Sequence, residues 1–410
     1  MTSNTYRIIH IDDDPLIRQT VAHELQQAGH EVISCEYPAQ AEQLISSHHP
    51  HCVLTDLMMP GMDGMGLLKK LRDNPDYNDI RIIVLSSKSF DYDKNRAESF
   101  GADGYCLKSQ PTDEIRAAIE TILQSRVEIT LWGTRGTLPV PGAHTIQHGG
   151  NTACVAMHLG KDHYFLFDAG TGLKAFSNSI MQNGNAPKKM KLFITHPHWD
   201  HINAFPFFVP LYVPGFEIDV YGAAHGDVDI KELLSNQMDG VYFPVNIKKF
   251  GAHVNFNNLH EGSYEIDHIR VKTMLLNHPG NCLGYRIEYN NQVICYVTDN
   301  ELYPEESEFR DTRYEKQLRD FIHEADCLIA DCCYNDESYL KKINWGHSRP
   351  KEVSELAHHA NVKELHLFHH DPDQDDRAID AKCQQAAKHL ERLNSNTRVY
   401  PGSEGTTITL

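Results

Sequence analysis

Two hydrophobic periodicities alternate along the first third of the chain. Short runs rich in β-branched residues, YRIIHI, EVISC, HCVLTD, IRIIVLS and GYCLK, are separated by PLIRQTVAHELQQAG, AQAEQLISS, GMGLLKKLRD, DKNRAESFG and TDEIRAAIETIL, whose apolar residues recur three and four apart. The former read as strands and the latter as amphipathic helices. Five strand-helix units in succession predict a parallel sheet covered by helices on both faces, with its functional loops at the carboxyl ends of the strands. Asp14 before Pro15 supplies an N-cap and a first helical residue, while Gly29 and Gly101 mark helix ends.

Beyond residue 126 the pattern changes. VEITLWG, TACVAMHLG, YFLFDAG, MKLFIT, EIDVYG, IRVKTMLL, CLGYRIEYN, QVICYVTD, DCLIADCC and ELHLFHH read as strands, with helices near 227–239, 312–324, 349–360 and 375–393. Many strands with fewer helices, and polar residues gathered at strand ends, suggest two sheets stacked between helical layers. The helix TDEIRAAIETILQSR runs almost directly into VEITLWGTRG, with no Gly/Ser-rich or Pro-rich spacer. Two domains, 1–125 and 126–410, are therefore expected to be closely apposed.

Charge narrows the partners. The 410 residues carry a formal net charge of −18, with 11 basic against 19 acidic residues in 1–125 and 27 against 37 in the rest. Duplex DNA would be repelled by both parts, so a small substrate is the better expectation. The ten cysteines form no CxxC pair, which reads as a reducing cytosol. The start MTSNTYRIIHIDDDP has no apolar core behind a positive segment, and no apolar run approaches about 18 residues, so neither export nor membrane spanning is expected. Of the 26 histidines, 20 lie after residue 125, so imidazole chemistry belongs to the larger part.

At the strand ends of the first domain sit Asp12, Asp13, Asp56, Ser86 and Lys108. Three carboxylates on one edge repel one another, which predicts a hard cation such as Mg²⁺ among them. This set resembles the receiver domain of two-component response regulators, a flavodoxin-like (βα)5 fold, over residues 5–125. The resemblance implies that Asp56 accepts a phosphoryl group from a cognate histidine kinase, that Asp12 and Asp13 hold Mg²⁺, that Ser86 moves to bond the phosphoryl and that Lys108 pairs with it. The chain departs from the family after Lys108, where Ser109 and Gln110 precede Pro111 and displace the usual Lys-Pro step.

In the second domain THPHWDH packs three histidines and an aspartate into residues 195–201. His196 and His198 can share one metal ion from a turn, while Asp200 and His201 reach a second ion beside it. Further strand ends supply His278 in LLNHPG, Asp299 in YVTDNE and His369 in LFHHDP. Imidazole and carboxylate donors without thiolate favour zinc first, with manganese or iron as alternatives, and paired ions suit hydrolysis. His370, beside His369, leaves the last ligand open. His158, His358, His359 and His366 read as packed or surface histidines.

The pattern resembles the metallo-β-lactamase fold, an αββα sandwich, across residues 127–410. That resemblance implies His196, His198 and His278 on one metal, Asp200, His201 and His369 on the other, Asp299 bridging, and Asp168 in FDAGTGL buttressing the loop. HGGNTACV, the TRG turn and NWGHSRPKEVSELA are similar to the ribonuclease Z-like phosphodiesterase branch, which implies that His347 protonates a leaving oxygen, with Asp200 as its catalytic companion at the metals. An N-cap at Ser348 beside a surface histidine is the plainer reading of the same motif. LLSNQMDGVYFPVNI, with Tyr242 and Phe243, is a candidate substrate wall, against ordinary core packing as the alternative.

The fusion points to a response regulator whose output is a dinuclear-metal phosphodiesterase acting on a small phosphodiester such as a cyclic nucleotide. It is expected to be cytoplasmic, free of membrane and DNA partners, and by resemblance a homodimer. Three rivals remain: an RNA-processing nuclease, which the acidic balance opposes; a lactone or thioester hydrolase, which needs the leaving-group acid less; and a non-catalytic interaction scaffold.

Overall fold

Nearly continuous apolar runs bury both faces of a strand, and that requirement organises the whole chain. The computed structural model describes residues 5–59, 64–74, 77, 80–124, 127–160, 163–182, 186–290 and 292–410. It divides into two units, Met1–Arg126 and Val127–Leu410. Residues 125 and 126, where the junction is expected, lie outside the described residues.

The first unit runs β1 (Arg7–Ile11), α1 (Pro15–Gln27), β2 (Glu31–Cys35), α2 (Ala41–His48), β3 (Cys52–Thr55), α3 (Gly64–Arg72), β4 (Arg81–Ser86), α4 (Asp91–Ser99), β5 (Gly104–Leu107) and α5 (Thr112–Gln124). Its sheet has the order β2-β1-β3-β4-β5, and every pairing is parallel. Asp14 caps α1 by accepting from the backbone N–H of Leu16 and Ile17, and Gly29 (φ 93°) and Gly101 (φ 89°) follow helix ends in the left-handed region. Successive residues of β3 and β4 point to opposite faces: Val53, Ile82 and Val84 pack on one side, Leu54, Ile83 and Leu85 on the other.

The second unit opens with β6 (Val127–Gly133), β7 (Cys154–Leu159), β8 (His163–Phe167), α6 (Gly172–Gln182), β9 (Lys189–Ile194), α7 (Trp199–Ile202), β10 (Glu217–Ala223), α8 (Ile230–Ser235) and β11 (His253–Leu259). It continues through β12 (Gly262–Ile266), β13 (Ile269–Leu275), β14 (Leu283–Tyr289), β15 (Gln292–Val297), α9 (Thr312–Phe321), β16 (Cys327–Asp331) and α10 (Asp336–Tyr339). It closes with α11 (Pro350–His359), β17 (Glu364–Phe368), α12 (Asp376–Arg392), β18 (Arg398–Pro401) and β19 (Thr407–Thr409). Two seven-stranded sheets result, β11-β10-β9-β8-β7-β6-β19 and β12-β13-β14-β15-β16-β17-β18.

Phe165, Phe167 and Phe193 from the first sheet meet Tyr285, Tyr296 and Ile329 from the second in a closed central core. The intervening Leu166, Leu192 and Ile194 face outward onto Leu173 and Phe176 of α6, while Leu328 and Ala330 face Leu318 of α9 and Ala357 of α11. The layers are therefore helix, sheet, sheet, helix, as the pattern predicts.

Periodicity misses several elements. β11, β12, β18 and β19 lie beyond the ten predicted strands because their residues are largely polar or exposed, as edge and near-edge strands tolerate. The helix expected over 227–239 ends at Ser235 and passes into a 3-10 turn, Asn236–Met238. Helix α6 is formed by GLKAFSNSIMQ, a sequence of modest helical propensity; burial of Leu173 and Phe176 decides it. No helix among the described residues is long and apolar enough to cross a membrane.

Candidate metal centre and phosphorylation pocket

In the first unit, strand ends bring together the residues that the sequence singles out. Asp12, Asp13 and Asp56 each place a carboxylate oxygen within 4.8 Å of the others. Lys108 Nζ lies 2.7 Å from Asp56 Oδ2 and 2.8 Å from Asp12 Oδ2, offsetting part of their repulsion. Burial is the largest influence on Asp12 and raises its pKa, so a second cation would relieve that carboxylate. Ser86 is fully buried at the end of β4, and its Oγ accepts from the Lys88 N–H at 3.1 Å. Tyr105, which sequence reading passed over, donates its hydroxyl to the carbonyl of Lys88 at 2.9 Å. Residues 60–63, just past Asp56, lie outside the described residues.

In the second unit, the donors arrive from four strand ends. β9 leads through Thr195 into His196, His198 and α7; β13 leads to His278; β15 to Asp299; β17 to His369. Ligating atoms of His196, His198, His278 and Asp299 fall within 4.8 Å of one another, as do those of Asp200, His201 and His369. Asp299 spans both groups. Its Oδ1 lies 3.2 Å from His201 Nε2 and from His369 Nε2, and its Oδ2 lies 3.6 Å from His196 Nε2 and from His278 Nε2. Asp168, Asp299 and His369 all adopt left-handed backbone (φ 62°, 51° and 57°), a strained conformation that turns each side chain off its strand toward the centre.

Neighbouring bonds fix each donor. Asp168 is completely buried; it accepts from Thr195 N–H at 2.8 Å, from the Tyr296 hydroxyl at 2.9 Å and from His201 Nδ1 at 2.8 Å. Against its burial, the carboxylates of Asp299, Asp200 and Asp168 raise the pKa of His201; a proton is thereby held on Nδ1, which directs Nε2 into the cluster. His278 Nδ1 donates to the Gly346 carbonyl at 3.0 Å with the same result, and the Thr137 N–H reaches Asp200 Oδ2 at 2.7 Å. Burial, the largest influence, pushes His196, His198 and His278 toward the neutral form, the form that ligates. Burial opposes ionisation of Asp299 and Asp200, yet the surrounding imidazoles hold both well below the usual carboxylate range.

Nε2 of the fully buried His196 has no hydrogen-bond partner, and Nε2 of His201 and of His369 face each other at 3.2 Å. Imidazole nitrogens facing inward at this distance need a proton or a metal cation between them. Five imidazoles and two carboxylates, one of them shared, suit two divalent ions of the zinc, manganese or iron type. His370 takes no part: its Nε2 donates to the Gly402 carbonyl at 3.0 Å and its Nδ1 lies 3.2 Å from Lys382 Nζ.

A beta-lactamase superfamily domain matches residues 163–370, half of the sequence. The chain belongs to the β-lactamase superfamily. Ahead of that match, a response regulator receiver domain matches residues 8–120, so the first unit is a receiver. Among curated relatives, "Probable transcriptional regulator ycf27" of Porphyridium aerugineum is 34% identical over 118 residues, covering 29% of this chain and 48% of that protein. "Phosphate regulon transcriptional regulatory protein PhoB" of Pseudomonas aeruginosa is 32% identical over 117 residues, covering 28% of this chain and 51% of that protein. The chain thus spans about half the length of the curated relatives it matches. Among solved structures, the metallo-β-lactamase fold protein YhfI from Bacillus subtilis aligns with a TM-score of 0.51 at 17% identity, over 70% of this chain and all of that one. That likeness shows the metallo-β-lactamase fold.

Within the β-lactamase-superfamily unit, His347 is buried beside the centre. Its ring stacks on His369 at 4.8 Å and tilts against His278 at 5.1 Å, and its Nδ1 lies 2.6 Å from Asp331 Oδ2. Burial would lower its pKa, but the Asp331 carboxylate outweighs this and pushes it up to about 9. Ser348 is not an N-cap: its hydroxyl donates to the Asn300 carbonyl at 2.6 Å, and Arg349 occupies the cap position of α11. Asp331 escaped sequence reading, although it ends the apolar run LIAD as Asp299 ends YVTD. Glu301 escaped it too; this buried carboxylate accepts from the N–H groups of Asn344 and Gly346 at 2.9 and 2.8 Å and holds the loop that carries His347.

Tyr242 is exposed, and Phe243 packs edge-on to Phe207 at 5.1 Å, among the residues bordering the helical side of the first sheet. No contact ties either to the ligand cluster among the described residues. Of the histidines read as packed or exposed, His366 stacks on Tyr400 at 5.0 Å and His158 on Tyr164 at 4.2 Å.

Gly346 supplies a test of how tightly the loop is fitted. Its φ is +87°, and a Cβ there would fall 2.2 Å from His278 Nδ1. Gly346→Ala must both strain the backbone and displace a ligating imidazole. Metal affinity is expected to fall about 10–100-fold by chelator competition, with the far-UV spectrum unchanged.

Proposed function

We propose that the chain is a two-component response regulator whose output unit is a dinuclear-metal phosphodiesterase for a small phosphodiester, a cyclic nucleotide being the favoured class. The observation that carries this reading is the His347–Asp331 pair set against a seven-donor cluster. His196, His198 and His278 would hold one cation, Asp200, His201 and His369 the other, with Asp299 between them. When bound, the ions supply Lewis acidity toward phosphoryl oxygens and a water nucleophile at neutral pH. Thr137 N–H and Asp168 hold Asp200 and His201 in place, and the buried His196, His201 and His369 close the inner side of the cluster while His198 stands exposed at its outer side. His347, its Nδ1 fixed by Asp331, keeps Nε2 to protonate an alkoxide leaving group, a demand that phosphodiesters make and that β-lactams and activated thioesters make less.

A cognate histidine kinase is the phosphoryl donor for Asp56. The working form is a homodimer, and the compartment is the cytoplasm. Phosphorylation adds roughly −1.5 to −2 charges beside Asp12 and Lys108 and reorders the loops around them. A coupling of about 1–3 kcal/mol to the output unit corresponds to a change in turnover of about 5–150-fold. Two measurements test the reading. The purified protein is offered chromogenic phosphodiesters, cyclic nucleotides, lactones and β-lactams with Zn²⁺ and Mn²⁺ separately; phosphodiesters should be cut fastest, and turnover confined to lactones would overturn the assignment. Adding a small-molecule phosphoryl donor should change turnover of the wild type and leave Asp56→Asn unaffected.

A further inference from the structure

The sequence contains three tryptophans, and two of them are largely in solvent: Trp199 is 72% exposed and Trp345 is 60% exposed. The third, Trp132, packs edge-on against Phe176 at 5.7 Å. Indole side chains are seldom left so open, because their apolar area is the largest of any residue and gains most from cover. Neither ring belongs to a core cluster, and each sits next in sequence to residues bonded within or beside the donor cluster.

Trp199 opens α7 between His198 and Asp200, with its carbonyl accepting from the Asn203 N–H at 2.8 Å. Trp345 lies between Asn344 and Gly346, whose N–H groups are both pinned by the Glu301 carboxylate. A single imidazole links the two segments. His278 Nε2 lies 3.2 Å from His198 Nδ1, and His278 Nδ1 donates to the Gly346 carbonyl at 3.0 Å. The two exposed indoles are thus carried by residues next in sequence to His198 and Gly346, both of which contact His278. Lys342 Nζ, paired with Asp371 at 2.7 Å, lies 5.8 Å from the Trp345 ring and 4.7 Å from that of Tyr334, which in turn packs edge-on to His347 at 5.5 Å. Lys342 thus lies near both the Trp345 ring and Tyr334, the neighbour of the proposed acid.

Flat apolar faces beside a phosphoryl-binding centre, with a cation nearby, match one class of ligand: a heterocyclic base joined to a phosphate. We infer that Trp199 and Trp345 bind the nucleobase of a nucleotide substrate by stacking and so set the specificity of the site. This rests on the phosphodiesterase reading and narrows it to nucleotides. The acidic balance of residues 126–410, 27 basic against 37 acidic, disfavours a long polynucleotide and favours a mononucleotide or cyclic nucleotide. Base stacking on aromatic side chains is sequence-tolerant, so purines and pyrimidines should both bind.

The test compares wild type with Trp199→Ala, Trp345→Ala and the two Trp→Phe variants on a nucleoside p-nitrophenyl phosphate and on methyl p-nitrophenyl phosphate. Either alanine variant should raise KM for the nucleoside diester about 5–150-fold, leave kcat and bound metal unchanged, and leave KM for the methyl diester unaltered; phenylalanine should restore most of the loss. In parallel, adenosine 5′-monophosphate should quench the intrinsic fluorescence of the metal-loaded protein, and ribose 5-phosphate should not. Equal KM changes for both diesters, or equal quenching by both ligands, would overturn the inference and leave the phosphodiesterase reading standing. Selective quenching by the nucleotide in a protein that cuts no phosphodiester would keep the base site and defeat the catalytic reading.

Discussion

Asp299→Ala should cut turnover by orders of magnitude and cost the centre at least one metal ion. Among the described residues, Asp299 is the carboxylate with an oxygen near each donor group, 3.2 Å from His201 and His369 on one side and 3.6 Å from His196 and His278 on the other. Removing it takes a carboxylate from beside five imidazoles, three of them buried, and with it the negative charge that two adjacent divalent ions require. Lewis-acid stabilisation is worth several kcal/mol, so kcat/KM should fall by roughly 10³–10⁴ or more. Elemental analysis of the purified variant should find fewer than two ions per chain. Full metal content with full activity would show that the cluster is not the catalytic centre. The fold should survive, because the central core of Phe165, Phe167, Phe193, Tyr285 and Tyr296 does not depend on this carboxylate.

The second large effect separates proton donation from metal binding. His347 stacks on His369 at 4.8 Å without belonging to either of the two donor groups that Asp299 spans, and Asp331 is bonded to its Nδ1. His347→Ala should therefore keep both ions and lose about 10²–10⁴-fold in turnover of diesters with alkoxide leaving groups. p-Nitrophenyl diesters, whose leaving group departs without a proton, should lose far less. Asp331→Asn should reproduce the pattern more weakly, since an amide still contacts the ring but no longer stabilises its charged form. Equal losses for both leaving groups would assign His347 a merely structural part.

The difference in what each unit disclosed in advance has a physical basis. In the receiver, Asp12, Asp13, Asp56, Ser86 and Lys108 each terminate an apolar run, and parallel strands with helical crossovers place their carboxyl ends on one edge. Five such residues could be found without coordinates. In the second unit THPHWDH was legible for the same reason, as were His278, Asp299 and His369. Strand edges were not: GSYEI and RVYP alternate too weakly to signal strands, and partner strands alone make them so.

What the sequence by itself determined is the set of chemical groups and the strand ends that carry them, because period-two burial and a run-terminating polar residue are local properties. Only the tertiary structure decided between His369 and His370. Both follow the same strand, but the left-handed turn at residue 369 directs one ring to the cluster, and Lys382 and Gly402 hold the other away from it. Asp331, Glu301 and the two exposed tryptophans likewise acquire meaning from neighbours distant in the chain, since hydrogen bonds across 16 and 45 residues leave no periodic trace.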